Sequence, residues 1–398
     1  MVARLAELGV TRYYWLVWHA ATDWDDLKLF LPAAARAHIQ TWVYLVPPTE
    51  GPTQGYPASE PFKLDYVRWA EAIARLSLEQ PSLTGWVIDD FYANSKVFTP
   101  AYVQQMQAAA KRVNPRLAFY PLMYFPEITP RFVADYRGVI DGVVVAYPQD
   151  REEIVGARAV LNGDTSAIPG ELSYPWHSPS QAGEFVSASI SGRVLSGRHV
   201  RVRFAERDDF LGATSGYHFK QVTVDGAVVW EQDVAGGTKG WEQVDLDLTG
   251  RAPAGANVSL AFRLVERKGV GNFGVRWRIR YLHADGLRLS STAFTSPRWK
   301  VDKSGAFVAG FGPQPPPVRG LSPVPFIVMT AASSEEFRLR HGDPATPARM
   351  GDWLRICLQA SRDGVCDGVV TYCLDKRPQS AFFPVAKSLF WEFSRGHR

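Results

Sequence analysis

The sequence predicts an α/β protein, a (β/α)8-like barrel with an antiparallel β-sandwich inserted into it. Three observations carry that expectation. Short apolar strands alternate with helical segments over residues 1–165, the pattern of βαβ units on a parallel sheet. Near residue 168 this gives way to period-two alternation with one polar face, which suits two antiparallel sheets packed face to face. After the Pro-rich stretch 313–317 the strand–helix pattern resumes and continues to the end.

Residues 1–9 read as part of an amphipathic helix, with Val2, Leu5 and Leu8 at helical spacing and Gly9 as the stop. A strand over 12–18 ends in Trp18 and His19. Helix 24–39 follows, its Asp25 and Asp26 placed where acids favour a first turn. Strand 41–46 stops at Pro47 and Pro48, and the loop 49–61 is long, as functional loops often are. Helix 62–80 leads into strand 85–90. Then come helix 100–113, strand 117–124, helix 130–137, strand 142–147 and a further helix over 151–161.

The middle of the chain reads differently. Alternating runs occupy 200–204, 219–224, 228–230, 244–248, 258–264 and 275–281, and Asp225-Gly226 signals a hairpin turn. The stretch 313–321 reads as a stiff linker. Strand 325–330, helix 347–361, strand 368–373 and helix 381–393 complete the barrel pattern. The expected domains are therefore a TIM barrel over 1–165 and 322–398, and a jelly-roll-like sandwich over 170–312. Only seven parallel strands are counted, where eight close a TIM barrel. A chain starting within a helix implies that the first strand is absent and that 85–90 is the fourth. A seven-stranded or open barrel is the alternative.

Composition narrows the function classes. Hydrophobic residues make up 46% and charged residues 21% of 398 positions, ordinary for a folded chain. The net charge of +4 forms no basic block, which argues against nucleic acid as a partner. No stretch is long and apolar enough to span a membrane, and the start lacks the apolar core of a secretory leader. The compartment stays open. Cys357, Cys366 and Cys373 lack metal-ligand spacing and an even count, so buried free thiols are expected and no cofactor or metal motif is found. Aromatic residues, at 13%, suit either a large core or rings that stack on sugars.

The chemistry is expected where Trp86-Val87-Ile88 runs into Asp89-Asp90. Adjacent carboxylates are costly inside a sheet but tolerable at the carboxyl end of a barrel strand, where active sites sit. Other strand ends add Trp18, His19, Tyr44, Tyr92, Tyr124, Tyr147, Gln149, Asp150, Tyr372 and Asp375 as candidate substrate contacts. Carboxylates for proton transfer and rings for stacking describe a pocket for an oligo- or polysaccharide.

A strand ending in an Asp-Asp pair on the fourth strand of a barrel resembles the O-GlcNAcase-type β-N-acetylglucosaminidases. The resemblance covers about ten residues, and the Cys-Pro-Thr-x-Tyr-like signature of the next strand is replaced here by Tyr120-Pro121-Leu122-Met123-Tyr124. It implies a substrate-assisted glycosidase in which Asp89 orients the acetamido N–H and Asp90 is the general acid, then base. Two alternatives stand beside it. One is a glycosidase pairing Asp90 with a distant acid such as Asp150 or Asp375; the other is a non-catalytic glycan-binding protein on a degenerate barrel.

Overall fold

The computed structural model describes residues 1–18, 20–51, 55–163, 168–196, 199–210, 212–235, 240–271, 273–312 and 324–394. It divides into two compact units, one of residues 1–164 with 316–398 and one of residues 165–315. The sequence-predicted linker at 313–321 falls outside the described residues.

The first unit begins with helix α1 (Val2–Leu8), which Gly9 ends in the left-handed conformation, its N–H donating to Ala6 O. Strands β1 (Arg12–Val17), β2 (Gln40–Leu45), β3 (Leu83–Ile88), β4 (Ala118–Tyr124) and β5 (Val143–Ala146) then alternate with helices α2 (Asp23–Arg36), α3 (Tyr66–Glu79), α4 (Pro100–Val113), α5 (Pro130–Tyr136) and α6 (Arg151–Leu161). Several starts follow from the local sequence. Thr99 and Thr129 each accept a backbone N–H while Pro100 and Pro130 supply the fixed φ that suits a first turn.

The second unit is antiparallel. Its strands are β6 (Gly170–Ser178), β7 (Phe185–Val194), β8 (Arg201–Asp208), β9 (His218–Val224), β10 (Ala227–Asp233), β11 (Glu242–Asp247), β12 (Asn257–Glu266), β13 (Phe273–Asp285), β14 (Leu287–Leu289), β15 (Lys300–Lys303) and β16 (Val308–Ala309). One sheet has the order β10-β9-β12-β7-β14 with β15 also on β7; the other runs β11-β8-β13-β6-β16. Val222, Leu260 and Ile190 of the first sheet share one apolar core with Phe204, Trp277 and Leu172 of the second. The Asp225-Gly226 turn is where the sequence places it, with φ of 50° and 82°. Strands β6 and β7 lie outside the alternating runs read from sequence. β6 contains Pro175, and β7 alternates its apolar residues with serines, which mutes the signal.

The chain returns to the first unit with β17 (Phe326–Ala331), α7 (Ser334–His341), α8 (Pro347–Arg362), β18 (Gly368–Tyr372) and α9 (Phe383–Ser394). The resulting parallel sheet of seven strands, β1-β2-β3-β4-β5-β17-β18, fits a (β/α) barrel. Among the described residues β1 pairs only with β2, and β18 only with β17. A groove of about 610 Å3 runs along that open seam, lined by Tyr14 and Leu16 on one lip and Val370 and Tyr372 on the other.

Aromatic rings fill the barrel interior, and glycines make room for them. Trp42 stacks on Tyr14 (5.6 Å, 8°) and takes the edge of Tyr120 (4.7 Å, 86°). Gly85 lies beside Trp42, where a Cβ would sit 2.6 Å from the indole. A Cβ on Gly142 would fall 2.2 Å from the Tyr120 ring. One expectation about the thiols is corrected. Cys357 and Cys366 are buried, but Cys373 is exposed, because it lies just beyond β18.

Candidate active site

Strand β3 ends at Ile88, one residue before the acid pair, rather than running through it. Asp89 extends the ladder by one bond, its N–H donating to Leu45 O at 2.9 Å. The chain then turns sharply: Asp90 has φ of 38°, a left-handed conformation that Asp tolerates better than most residues. Two aspartates on a regular strand point to opposite faces. The turn changes that relation, and the Asp90 N–H donates to Asp89 Oδ1 at 2.9 Å. Asn94 steadies the turn by donating to Asp90 O (2.9 Å) and to Thr49 Oγ1 (2.9 Å), tying β3 to the loop after β2.

Around this pair stand phenols from separate strand ends. Tyr124 donates its hydroxyl to Asp90 Oδ1 at 2.7 Å, and Tyr44 hydrogen-bonds the Asp89 carboxylate. Tyr147 has its ring 6.3 Å from Tyr124 and 6.1 Å from Tyr372, whose ring lies 6.4 Å from Tyr44. Burial is the first cause that raises each of these phenols above the usual tyrosine range, and nearby acids add to it. They are therefore neutral donors and acceptors at ordinary pH.

Asp89 is buried, and the burial pushes its carboxyl up to about 7. The negative charges of Asp90 and Glu50 act in the same direction, while the hydrogen bonds from Tyr44 and from the Asp90 N–H pull it down. Burial, then Asp90, likewise raises Glu50.

Among the sequence-predicted residues, Asp89, Asp90, Tyr44, Tyr124, Tyr147 and Tyr372 come together. Trp18 joins the rim, with its indole N–H donating to Glu50 O (3.1 Å) and its ring 5.7 Å from Tyr56. Gln149 sits beside Tyr147, donating its amide to that residue's carbonyl at 3.1 Å. Others are engaged elsewhere. Tyr92 packs its ring edge-to-face on Phe132 and Tyr136. Asp150 caps α6 through the Glu153 N–H (2.8 Å), and Asp375 holds Arg377 (2.9 Å). His19 lies outside the described residues.

Sequence reading missed Glu50, Asn94, Glu336 and Arg340. The last two lie on α7, where Arg340 Nε meets Glu336 Oε1 at 2.8 Å and the guanidinium sits 4.4 Å from the Tyr147 ring centre. The available signal was Ser333, which caps α7 by accepting the Glu336 N–H. No group of His, Cys, Asp and Glu suited to a metal ion occurs among the described residues.

No family model and no curated protein matches this chain. Solved structures similar to parts of it include a family 39 glycoside hydrolase from the gut symbiont Bacteroides cellulosilyticus WH2. That likeness has 15% identity, covers 38% of this chain and 36% of the other, and has a TM-score of 0.28. A psychrophilic family 10 endo-β-1,4-xylanase matches at 13% identity over 34% of this chain and 55% of its own, TM-score 0.26. Pseudomonas stutzeri endoglucanase Cel5A matches at 14% over 40% and 72%, TM-score 0.24. The chain thus spans about a third to a half of the first two. Likenesses this slight carry no functional argument.

Proposed function

We propose that the chain is a glycoside hydrolase whose reaction is run by Asp89 and Asp90 in the barrel mouth. The observation that supports this best is the carboxyl of Asp89, raised to about 7 among neutral phenols. A general acid is most effective when its pKa lies near the working pH, and this one holds a proton there. Asp89 delivers that proton to the glycosidic oxygen as the C–O bond breaks. Asp90, fixed by the Tyr124 hydroxyl, faces the positive charge developing on the sugar. Water then adds to the anomeric carbon and returns a proton to Asp89.

This division of labour exchanges the roles that the O-GlcNAcase-type resemblance implies, with Asp90 as acid/base and Asp89 on an acetamido group. Burial favours the exchange, since Asp89 is the more enclosed of the two. A substrate-assisted course remains compatible with it, the acetamido oxygen then attacking while Asp89 protonates the leaving group. Asp150 and Asp375 are left out of this proposal, since one accepts the Glu153 N–H at the start of α6 and the other pairs with Arg377. The second unit is read as a jelly-roll-like β-sandwich on the strength of its shared two-sheet core.

The test is turnover of a panel of aryl glycosides, N-acetylglucosaminide included, by the parent and by Asp89→Asn and Asp90→Asn. Each substitution is expected to slow the cleaved substrate by about 10²–10⁴-fold. Full turnover in both variants, or none by the parent on any substrate, would overturn the reading.

A further inference from the structure

The second unit contains a groove of about 840 Å3, built entirely from its own residues. That volume lies in the range of about 300–1,000 Å3 typical of small-ligand sites. Trp176 stands in it with 62% of its surface exposed. An indole open to solvent at the side of a groove offers a flat apolar face on which a ring can stack. Gly274 sets the Trp176 position: a Cβ there would come within 3.0 Å of the Trp176 backbone N, Cα and ring Cε3. A side chain at 274 would press on Trp176, which the glycine lets lie close against β13.

Beside this platform is a fixed pair of opposite charges. Asp209 Oδ1 accepts the Arg276 backbone N–H at 2.7 Å, while Asp209 Oδ2 lies 3.8 Å from Arg276 Nε. Both side chains are about half exposed, so one presents acceptors and the other donors to a ligand. The floor is rigid. His218 stacks on Phe273 (3.8 Å, 16°) and its Nδ1 lies 2.6 Å from Glu266 Oε2.

We propose that this groove is a binding site for a neutral oligosaccharide. The apolar face of a pyranose covers the Trp176 ring, and its vicinal hydroxyls bond Asp209 and Arg276. Charge argues for the class. The Asp209–Arg276 pair cancels, and Lys268, with its Nζ 4.9 Å from the Tyr217 ring centre, is a single cation rather than the cluster that phosphates need. The reading is independent of the barrel chemistry, and its test is built to keep the two apart.

The full-length chain carrying Asp89→Asn, which slows consumption of ligand, is titrated calorimetrically with cello-, xylo-, manno- and N-acetylchito-hexaose. At least one is expected to bind. In that background Trp176→Ala is expected to weaken binding at least about tenfold, and Arg276→Ala to weaken it too. Tyr124→Phe acts on ligand held at the barrel mouth, and the binding that Trp176→Ala weakens is expected to be the same with or without it. Gly274→Val checks the platform by another route, since it displaces Trp176 without removing it, and it too should weaken binding. Failure of every hexaose to bind, or an isotherm unchanged by both Trp176→Ala and Arg276→Ala, overturns the proposal. So does binding lost in Tyr124→Phe but kept in Trp176→Ala.

Discussion

Asp90 donates its backbone N–H to the side chain of Asp89, so the two neighbours act on each other in opposite senses. The hydrogen bond favours the ionised form of Asp89, while the charge of the Asp90 carboxylate opposes it, and opposition is the stronger influence. Asp90→Asn separates them, because it removes the charge and keeps the N–H. The Asp89 carboxyl should then titrate at lower pH. If Asp89 is the acid, kcat/KM of the parent is lost as pH rises through about 7, and in the residual activity of Asp90→Asn that limb moves to lower pH. An unmoved or alkaline-shifted limb would refute the coupling.

Tyr44→Phe should act the other way. Its hydroxyl pulls the Asp89 carboxyl down, and removing it should move the same limb to higher pH. The ring remains in place against Tyr14 and Tyr372, so the fold should hold. A pH–rate profile identical to that of the parent would show that the hydroxyl does not govern Asp89.

Stability should carry the same signature. Asp89 titrates near 7 in the fold and near 3.8 when unfolded, so the folded chain keeps a proton that the unfolded chain has already released. The stabilising contribution of that proton is full below about pH 4 and is lost as pH rises to 7. Asp89→Asn abolishes the loss. Its stability relative to the parent should therefore increase between pH 4 and pH 8, by up to about 4 kcal/mol. Urea unfolding at both pH values measures this, and a difference constant with pH would contradict it.

In the second unit, Lys220 is fully buried and reaches Glu206 (2.8 and 2.9 Å) and Asp208 (2.8 Å), while the Trp277 indole N–H also bonds Glu206 (2.8 Å). Lys220→Met fills the space but leaves the acids without their cation. A loss of about 3–5 kcal/mol is expected in denaturant unfolding, because a buried charge without its partner is costly. Recovery in Lys220→Met with Glu206→Gln and Asp208→Asn would trace the loss to those charges.

Gly142→Ala tests the barrel packing. The added methyl would overlap the Tyr120 ring, and a loss of about 1–3 kcal/mol is expected. Pairing it with Tyr120→Leu should restore part of the loss, and an unaltered unfolding midpoint in the single variant would contradict the contact.

The parallel sheet was legible because its strands are short apolar runs set between helices with clear starts. Trp86-Val87-Ile88 before two acids marked the end of β3 to within two residues. What escaped notice had physical reasons. Helix α7 is polar on nearly every side and buries only Phe337, so no apolar stripe announced it. With it went Glu336 and Arg340. Glu50 and Asn94 end short 3-10 turns, Pro48–Glu50 and Tyr92–Asn94, where composition says little about direction. The left-handed turn at Asp90 is compatible with its residue type but not required by it, and a regular strand there would put the two carboxylates on opposite faces.

A closed barrel has a fixed circumference, since every strand is held from both sides. In this sheet no ladder hydrogen bond among the described residues joins β1 to β18, and helices α1 and α9 span the gap instead. Arg4 Nε donates to Lys376 O (3.1 Å), the Trp391 indole N–H donates to Glu7 O (3.0 Å), and Lys387 meets Glu7 at 3.0 Å. Tyr372 rides on one lip of the gap, and Tyr44 sits one strand in from the other, with the Asp89 carboxylate bonded to it. The helix packing that sets the width of this gap therefore also sets the spacing of these two rings, and with it the surroundings of the acid.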